Sequence, residues 1–286
     1  MKYLRFKRRL QERVFQALMI ASFTLVTGCL VLILWTILSR GLPAMSWEVI
    51  SQTPQGGFYL GKSGGILNAI VGSLYLAGGG TLLALIFSFP LAIYIESYLK
   101  VSRWGNAVRI ALDVLWGIPS IVYGAFGFTI MLAMGMRASL LGGIVVLALL
   151  ELPIMTRAMD EVIRRIPDEL EQAAFAVGST KLELATRIIP RQILPGLVSA
   201  LLLAFGRGIG DAASVLFTAG YTDNLPTSLM RPAASLPLAI FFQLSTPYPE
   251  VQQRAYASAL ILTAIVLAVS ISAHILTRRV NKYIIK

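Results

Sequence analysis

Long runs without charge set the pattern of this sequence. A bilayer core takes roughly 20 mostly apolar residues per helix. Val14 to Ser39 forms one such run between Arg13 and Arg40. A second lies in Ser63 to Ile95, where a Gly-rich entry leads into a helix from about Ile66. Val114 to Met136 follows Asp113, and Ala138 to Leu150 continues through Glu151 to about Thr156. Gln192 to about Gly220 is interrupted by Arg207 and Asp211, and Ala255 to Thr277 closes the set. The pattern predicts an all-α integral membrane protein with six transmembrane helices.

The basic residues orient these spans, because cytoplasmic loops are enriched in Lys and Arg. With the N-terminus inside, Lys2, Arg5, Lys7, Arg8, Arg9 and Arg13 are cytoplasmic, as are Lys100, Arg103 and Arg109. So are Arg157, Arg164, Arg165, Lys181, Arg187 and Arg191 between helices four and five, and Arg278, Arg279, Lys282 and Lys286 in the tail. Outside are only Arg40, Lys62, Arg137, Arg231 and Arg254. Both termini are therefore expected in the cytoplasm. Residues 1–13 read as a cytoplasmic N-terminal segment, 14–277 as a single transmembrane domain and 278–286 as a cytoplasmic tail. The first run is too long for the apolar core of a secretory signal, and no A-x-A site follows it before Arg40. It reads as a retained helix.

Composition agrees with this and narrows the function. The 286 residues are 56% hydrophobic and only 14% charged, with a mean hydropathy of +0.74. That excludes a water-soluble domain and a disordered chain. The net charge of +11 is a topology signal and not a nucleic-acid patch, so no nucleic-acid partner is expected. One cysteine, Cys29, and one histidine, His274, exclude a cysteine zinc cluster and two-His metal motifs. No cofactor or metal is called for.

One motif is a false match. Gly56 to Ser63 fits G-x-x-x-x-G-K-[ST], the phosphate-binding P-loop. That loop requires a buried strand before it and a helix N-terminus directly after it. Ser51 to Gln55 is not such a strand, Gly64-Gly65 delays the helix, and the topology places the segment outside the cell, away from ATP.

The longest charged segment, 157–191, carries its own punctuation. Pro167 suits a first helical turn, and Asp168, Glu169 and Glu171 complement the helix dipole. Gly178 suits a left-handed C-terminal cap. Thr180 to Glu183 has capping-box spacing. A helix from Asp168 to Val177 follows, exposing small Ala173, Ala174 and Ala176 to another protein's close approach; a solvated connecting loop is the plain alternative. Leu170-Glu171-Gln172-Ala173-Ala174-Phe175-Ala176-Val177-Gly178, with Ile188-Ile189 and Leu194-Pro195-Gly196 beyond it, resembles the EAA loop of ABC importer permeases. Gln172 replaces the motif's glutamate, Glu171 standing beside it, and Pro190 falls one position early. In that family the short helix docks on an ATPase subunit and couples it to the membrane.

Further segments are similar to PstA-type phosphate permeases, which have a MetI-like fold. They are Gly64 to Leu74, Phe89 to Tyr98, Gly117 to Gly124, Gly210 to Ala213 with Leu216 to Ala219, and Ala234 to Phe241. The MetI-like portion would be about 66–277. The resemblance implies one transmembrane subunit of a phosphate importer in a bacterial inner membrane. It would contact lipid, a second homologous permease subunit, two ATPase subunits and an extracytoplasmic phosphate-binding protein. The chain itself would hold no ATPase site. The same architecture carrying sulfate, molybdate or phosphonate is the nearest alternative. A self-sufficient channel or ion-coupled transporter is another.

Arg207 and Asp211 stand four residues apart within a span, so a continuous helix projects both from one face. Charge at bilayer depth costs roughly 2.5–3.5 kcal/mol on insertion scales, so that face is expected to line protein or a wet cavity. The pair is either a self-neutralising structural ion pair or part of an anion path, since guanidinium matches phosphate oxygens and stays charged. Gly206-Arg207-Gly208-Ile209-Gly210-Asp211 is similar to the family's G-R-x-x-G-E, with aspartate for glutamate, which implies that Arg207 helps phosphate across; Asp211 reads either as restraining the arginine so that the anion is not held too tightly or as accepting a proton from phosphate. Asp113 and Glu151 read as structural acids near cytoplasmic helix ends. Cys29 and His274 read as packing residues of outer helices. Trp35, Trp47, Trp104 and Tyr248 fit interfacial belts. Tyr221 to Glu250 holds five prolines, too many for one long helix, and reads equally as a structured extracellular loop or a simple surface one.

Overall fold

The computed structural model describes residues 2–55 and 63–280. Gly56 to Lys62 of the P-loop match, and Lys282 and Lys286 of the basic tail, lie outside the described residues. The chain is helical nearly throughout. Helix α1 (Lys2–Ala44) is followed by the short α2 (Trp47–Ser51) and a two-residue hairpin, β1 (Pro54–Gln55) against β2 (Ser63–Gly64). Then come α3 (Leu67–Tyr98), α4 (Arg103–Gly117), α5 (Ser120–Ala133) and α6 (Leu140–Ile163). The charged segment contains α7 (Asp168–Ala176) and the single turn α8 (Lys181–Glu183), and α9 (Ile189–Ile209), α10 (Leu236–Leu244) and α11 (Pro249–Val280) complete the chain. Five helices are long and apolar enough to cross a membrane, or six if α4 and α5 together count as one bent span.

That bend corrects the expected third span. Val114 to Met136 is not one helix: α4 ends at Gly117 and α5 departs at 96° from it. Pro119 is the cause. A proline disfavours helical geometry in the residue before it, and Ile118 is extended, with φ −70° and ψ 129°. The fifth span is likewise corrected. It was expected to reach Gly220 but stops at Ile209, and Gly210 to Ser235 runs as irregular backbone.

Irregular backbone within a membrane bundle needs partners for its polar groups. The start of α6 supplies several. A helix leaves its first N–H groups unbonded; here Ser139, Leu140 and Leu141 donate them to the carbonyls of Thr218, Arg231 and Leu229, each at 2.8 Å. Ser73 Oγ accepts from Leu236 N at 2.7 Å, and Asn68 Nδ2 donates to Thr222 O at 2.7 Å. Ala233 to Ala239 is buried, with α10 packed on α3 and α11. Tyr221 to Glu250 is thus part of the bundle and not a simple surface loop.

Close approach holds the bundle together. Lipid tails are as apolar as leucine, so helices in a membrane associate by packing and hydrogen bonding, which favours small residues at contacts. The buried face of α3 carries Ala69, Gly72, Ser73, Ala77, Gly80, Thr81, Ala84 and Ser88. At Gly72 a Cβ would run into the carbonyl oxygen of Ala234, and at Gly80 it would come within 2.9 Å of Leu147 Cβ. Helices α3, α6 and α9 enclose one core of Ala84, Ala148, Met155, Met159, Ile193 and Ala204. By contrast α1 touches mainly α11, where Arg40 Nη1 donates to Tyr256 Oη at 2.8 Å. Cys29 and His274 are exposed on these two outer helices; Trp35 of α1, Trp47 of α2, Trp104 of α4 and Tyr248 just before α11 are exposed too.

Candidate functional site

The cut end of α9 carries the first candidate site. Arg207 sits in the last turn of the helix and is exposed on the isolated chain, on the same side as Leu203, which is also exposed. A guanidinium beside a leucine at bilayer depth is unsuited to lipid, so this face belongs against protein or water. Asp211 lies past the helix end. Its carboxylate Oδ2 accepts from Ser214 N at 2.8 Å and caps the turn that follows. No ion pair joins it to Arg207 among the described residues. The expected shared helix face is therefore corrected: Gly210 ends the helix between the two charges.

Glu151 was expected near a helix end with water or a base beside it. It is instead wholly buried within α6, and neither carboxyl oxygen has a hydrogen-bond partner. It faces Gly208 of α9, the residue after Arg207. Asp113 does have the basic neighbour expected of it, Arg157 Nε at 2.7 Å.

A second candidate surface is the loop around α7. Asp168–Ala176 is helical, Val177 caps it, and Gly178 is left-handed at φ +86°. The Thr180–Glu183 capping box is formed: Glu183 N donates to Thr180 Oγ1 at 3.2 Å, and Thr180 N donates to Glu183 Oε2 at 3.0 Å. Gln172, Ala173, Ala176 and Gly178 are exposed. Ala174 is not: it packs into the core with Ile163 and Leu184, correcting the expectation that all three alanines face outward. Lys100 Nζ, just past α3, donates to Asp168 Oδ1 at 2.8 Å and stands 4.0 Å from Glu171 Oε2. That hydrogen bond holds the lysine's pKa above its ordinary value. Beyond α8, a π-helical turn over Leu184–Ile188 lets Ile189 N bond back to Leu184 O, one residue ahead of Pro190, which has no N–H to offer.

Between α7 and the membrane bundle lies a charge network that sequence reasoning missed. Arg109 of α4 donates from Nε to Asp160 Oδ2 at 2.9 Å and from Nη2 to Asp160 Oδ1 at 3.1 Å, and also bonds Glu96 of α3. Arg157 Nη1 reaches Asp160 Oδ2 at 2.8 Å, and Arg164 Nε reaches Glu96 Oε1 at 2.9 Å. With Asp113 this makes three acids and three arginines, charge-balanced, joining α3, α4 and α6. Asp160 is fully buried and Glu96 and Arg109 nearly so. Arg157, Asp160 and Arg164 at i, i+3 and i+7 on α6 were the available signal, since that spacing aligns them on one face.

Comparison with known proteins gives consistent matches. Residues 84–286 match the family described as binding-protein-dependent transport system inner membrane component. The chain is 32% identical over 272 residues to phosphate transport system permease protein PstA of Yersinia pestis, covering 94% of this chain and 90% of that protein. It is also 32% identical over 272 residues to phosphate transport system permease protein PstA 1 of Mycobacterium tuberculosis (strain CDC 1551 / Oshkosh), covering 93% and 88%. Among solved structures, an inward-facing conformation of the MetNI methionine ABC transporter superposes with a TM-score of 0.63 at 16% identity, over 75% of this chain and 95% of that one. At that identity the match speaks for the fold alone.

Proposed function

Because the chain belongs to the binding-protein-dependent transport system inner membrane components, we propose that it is the transmembrane permease subunit of an ATP-driven importer of inorganic phosphate. The observation that carries this reading is α7. It is a capped helix tied by Lys100 to the end of α3, with Gln172, Ala173, Ala176 and Gly178 left uncovered. Such a lever serves a protein that receives motion from a partner and has little use in a self-sufficient channel. Glu171 and Gln172 meet the ATPase by charge and hydrogen bonding, Ala173 and Ala174 keep the helix slim, and Gly178 sets the turn behind it.

The complex pairs this chain with a second permease, two ATPase subunits and an extracytoplasmic phosphate-binding protein. Both termini and α7 lie on the cytoplasmic side, where the basic residues concentrate. ATP binding and hydrolysis in the partner subunits move α7, and the charge network transmits the movement to α3, α4 and α6. The cut end of α9 then opens alternately to each side, with Arg207 meeting the anion.

Radiolabelled phosphate uptake by phosphate-starved cells, with and without the gene, tests the reading. Loss of high-affinity uptake that excess sulfate or molybdate does not compete with is the expected result. Unchanged phosphate uptake in a strain with no second phosphate system would reject it. The coupling role has its own test. Ala173→Trp adds bulk on a face that must approach a partner closely. An overpacked contact typically loses 1–3 kcal/mol, so uptake is expected to drop about tenfold or more at unchanged membrane levels of the protein. Normal uptake would place the docking surface elsewhere.

A further inference from the structure

Glu151 is the twelfth residue of α6, sealed from solvent, with both carboxyl oxygens unbonded. An acid so placed has no cation beside it among the described residues, and the donor next to its two oxygens is a single hydroxyl, that of Thr81 of α3. One hydroxyl does not replace the hydration of a buried carboxylate or balance its charge. Gly208 of α9 faces the carboxyl so closely that a Cβ there would collide with Oε1. The nearby ionisable group besides these is Asp211, of the same sign and already engaged by Ser214.

A carboxyl in this position calls for a cation, and the helices around it narrow the choice. Helix α3 has no Lys or Arg. Helix α6 has Arg157, six residues or about 9 Å further along, held by Asp113 and Asp160. Helix α5 has no Lys or Arg, and α4 has Arg103 at its start and Arg109, which Asp160 and Glu96 hold. Helix α9 has Arg191 near its start and Arg207 directly before Gly208. Having no side chain, Gly208 leaves open the way back across the helix surface from Arg207 to Glu151.

Resting on the reading of Arg207 as part of the anion path, we propose that Glu151 is the internal counter-ion of Arg207. It is a positioning residue that takes the guanidinium whenever the transported anion does not. In the present structure the arginine is turned outward and the acid stands unpaired, which is the arrangement with Arg207 presented to the path. The other arrangement closes the pair across Gly208. A guanidinium with no competing carboxylate in a dry path holds an oxyanion too firmly to pass it on; Glu151 makes release possible. This is the role that the sequence pattern allotted to Asp211, which the helix end turns away.

The test uses the intact transporter in cells, measuring phosphate uptake kinetics and the membrane level of the protein for E151Q, E151L, E151D and R207Q. E151Q and E151L are expected to lower the maximal rate about tenfold or more without raising the half-saturating concentration, as removal of a release step does. E151D is expected to retain most of the rate, and E151Q combined with R207Q to be no worse than R207Q. Wild-type kinetics in E151Q overturn the proposal, and so do losses in the double variant that multiply. If E151Q fails to accumulate, R207Q/E151L, which removes both charges, is expected to accumulate normally; failure of both variants also overturns it. Full uptake in R207Q would instead reject the reading of Arg207 on which the proposal rests.

Discussion

Arg207→Gln is expected to cut phosphate uptake about a hundredfold or more, the usual scale for deleting one preorganised charge at a site where charge must be stabilised, while the protein stays in the membrane at its normal level. The expectation rests on position. Arg207 is exposed on the isolated chain next to exposed Leu203, where lipid would penalise a charge, and it has no acid partner among the described residues. A structural arginine at that depth would be buried and paired, as Arg109 is. Glutamine stays polar but is shorter and has fewer donors, so the change removes the charge, the planar fork and part of the reach. Uptake assays alongside immunoblots of the membrane fraction separate the outcomes. A variant that transports normally would place Arg207 outside the anion's route, at a contact with another protein. Arg207→Lys sharpens the test, because a point charge without bidentate geometry should recover only part of the rate.

What could be read from the sequence divides along physical lines. Desolvation of charge is written into every residue, so the charge-free runs located the membrane helices. Capping is decided within four or five residues, and Pro167, Gly178 and the Thr180–Glu183 box marked the loop helix to within one residue of its observed end. Two failures share a cause: both involve backbone that is apolar yet not helical. Nothing in the charge pattern separates Val114–Met136 from a straight span, although Pro119 stood in it as a warning. Gly210 to Gly220 is held irregular by tertiary bonds, such as Ser139 N to Thr218 O across some eighty residues of chain, which no local pattern announces. The charge network was missed for the same reason. Its arginines were counted as topology markers, and only folding brings Glu96, Arg109 and Asp160 together from three helices. Glu151 was misplaced because its distance from the helix end depends on how far α6 continues past Thr156, to Ile163.

Asp160→Asn should be the most damaging change in that network. Asp160 is fully buried and accepts from Arg109 and Arg157, with Arg164 Nε 3.8 Å away. Without it, buried Arg109 keeps only Glu96, an acid that Arg164 also engages, and breaking a buried pair costs about 3–5 kcal/mol, against a total stability of roughly 5–15 kcal/mol for a typical fold. Detergent-solubilised protein should therefore melt at a distinctly lower temperature, and less of it should accumulate in the membrane. Asp113→Asn is the internal control. Its partner is also Arg157, but its side chain is half exposed, and an exposed pair contributes about 0–1 kcal/mol. Both variants take a carboxylate from Arg157, but Asp160→Asn does so in the buried centre of the network and also strips Arg109, so equal melting temperatures would refute the account of the network as a buried joint. A large difference would identify Asp160 as the point where α4 and α6 are locked together. The end of α3 enters the same joint through Glu96, and α7 is packed onto it through buried Ala174, which shares a core with Ile163 of α6. A joint of that kind moves as one piece, so displacement of α7 by a partner would reach three membrane helices without first being absorbed by loops.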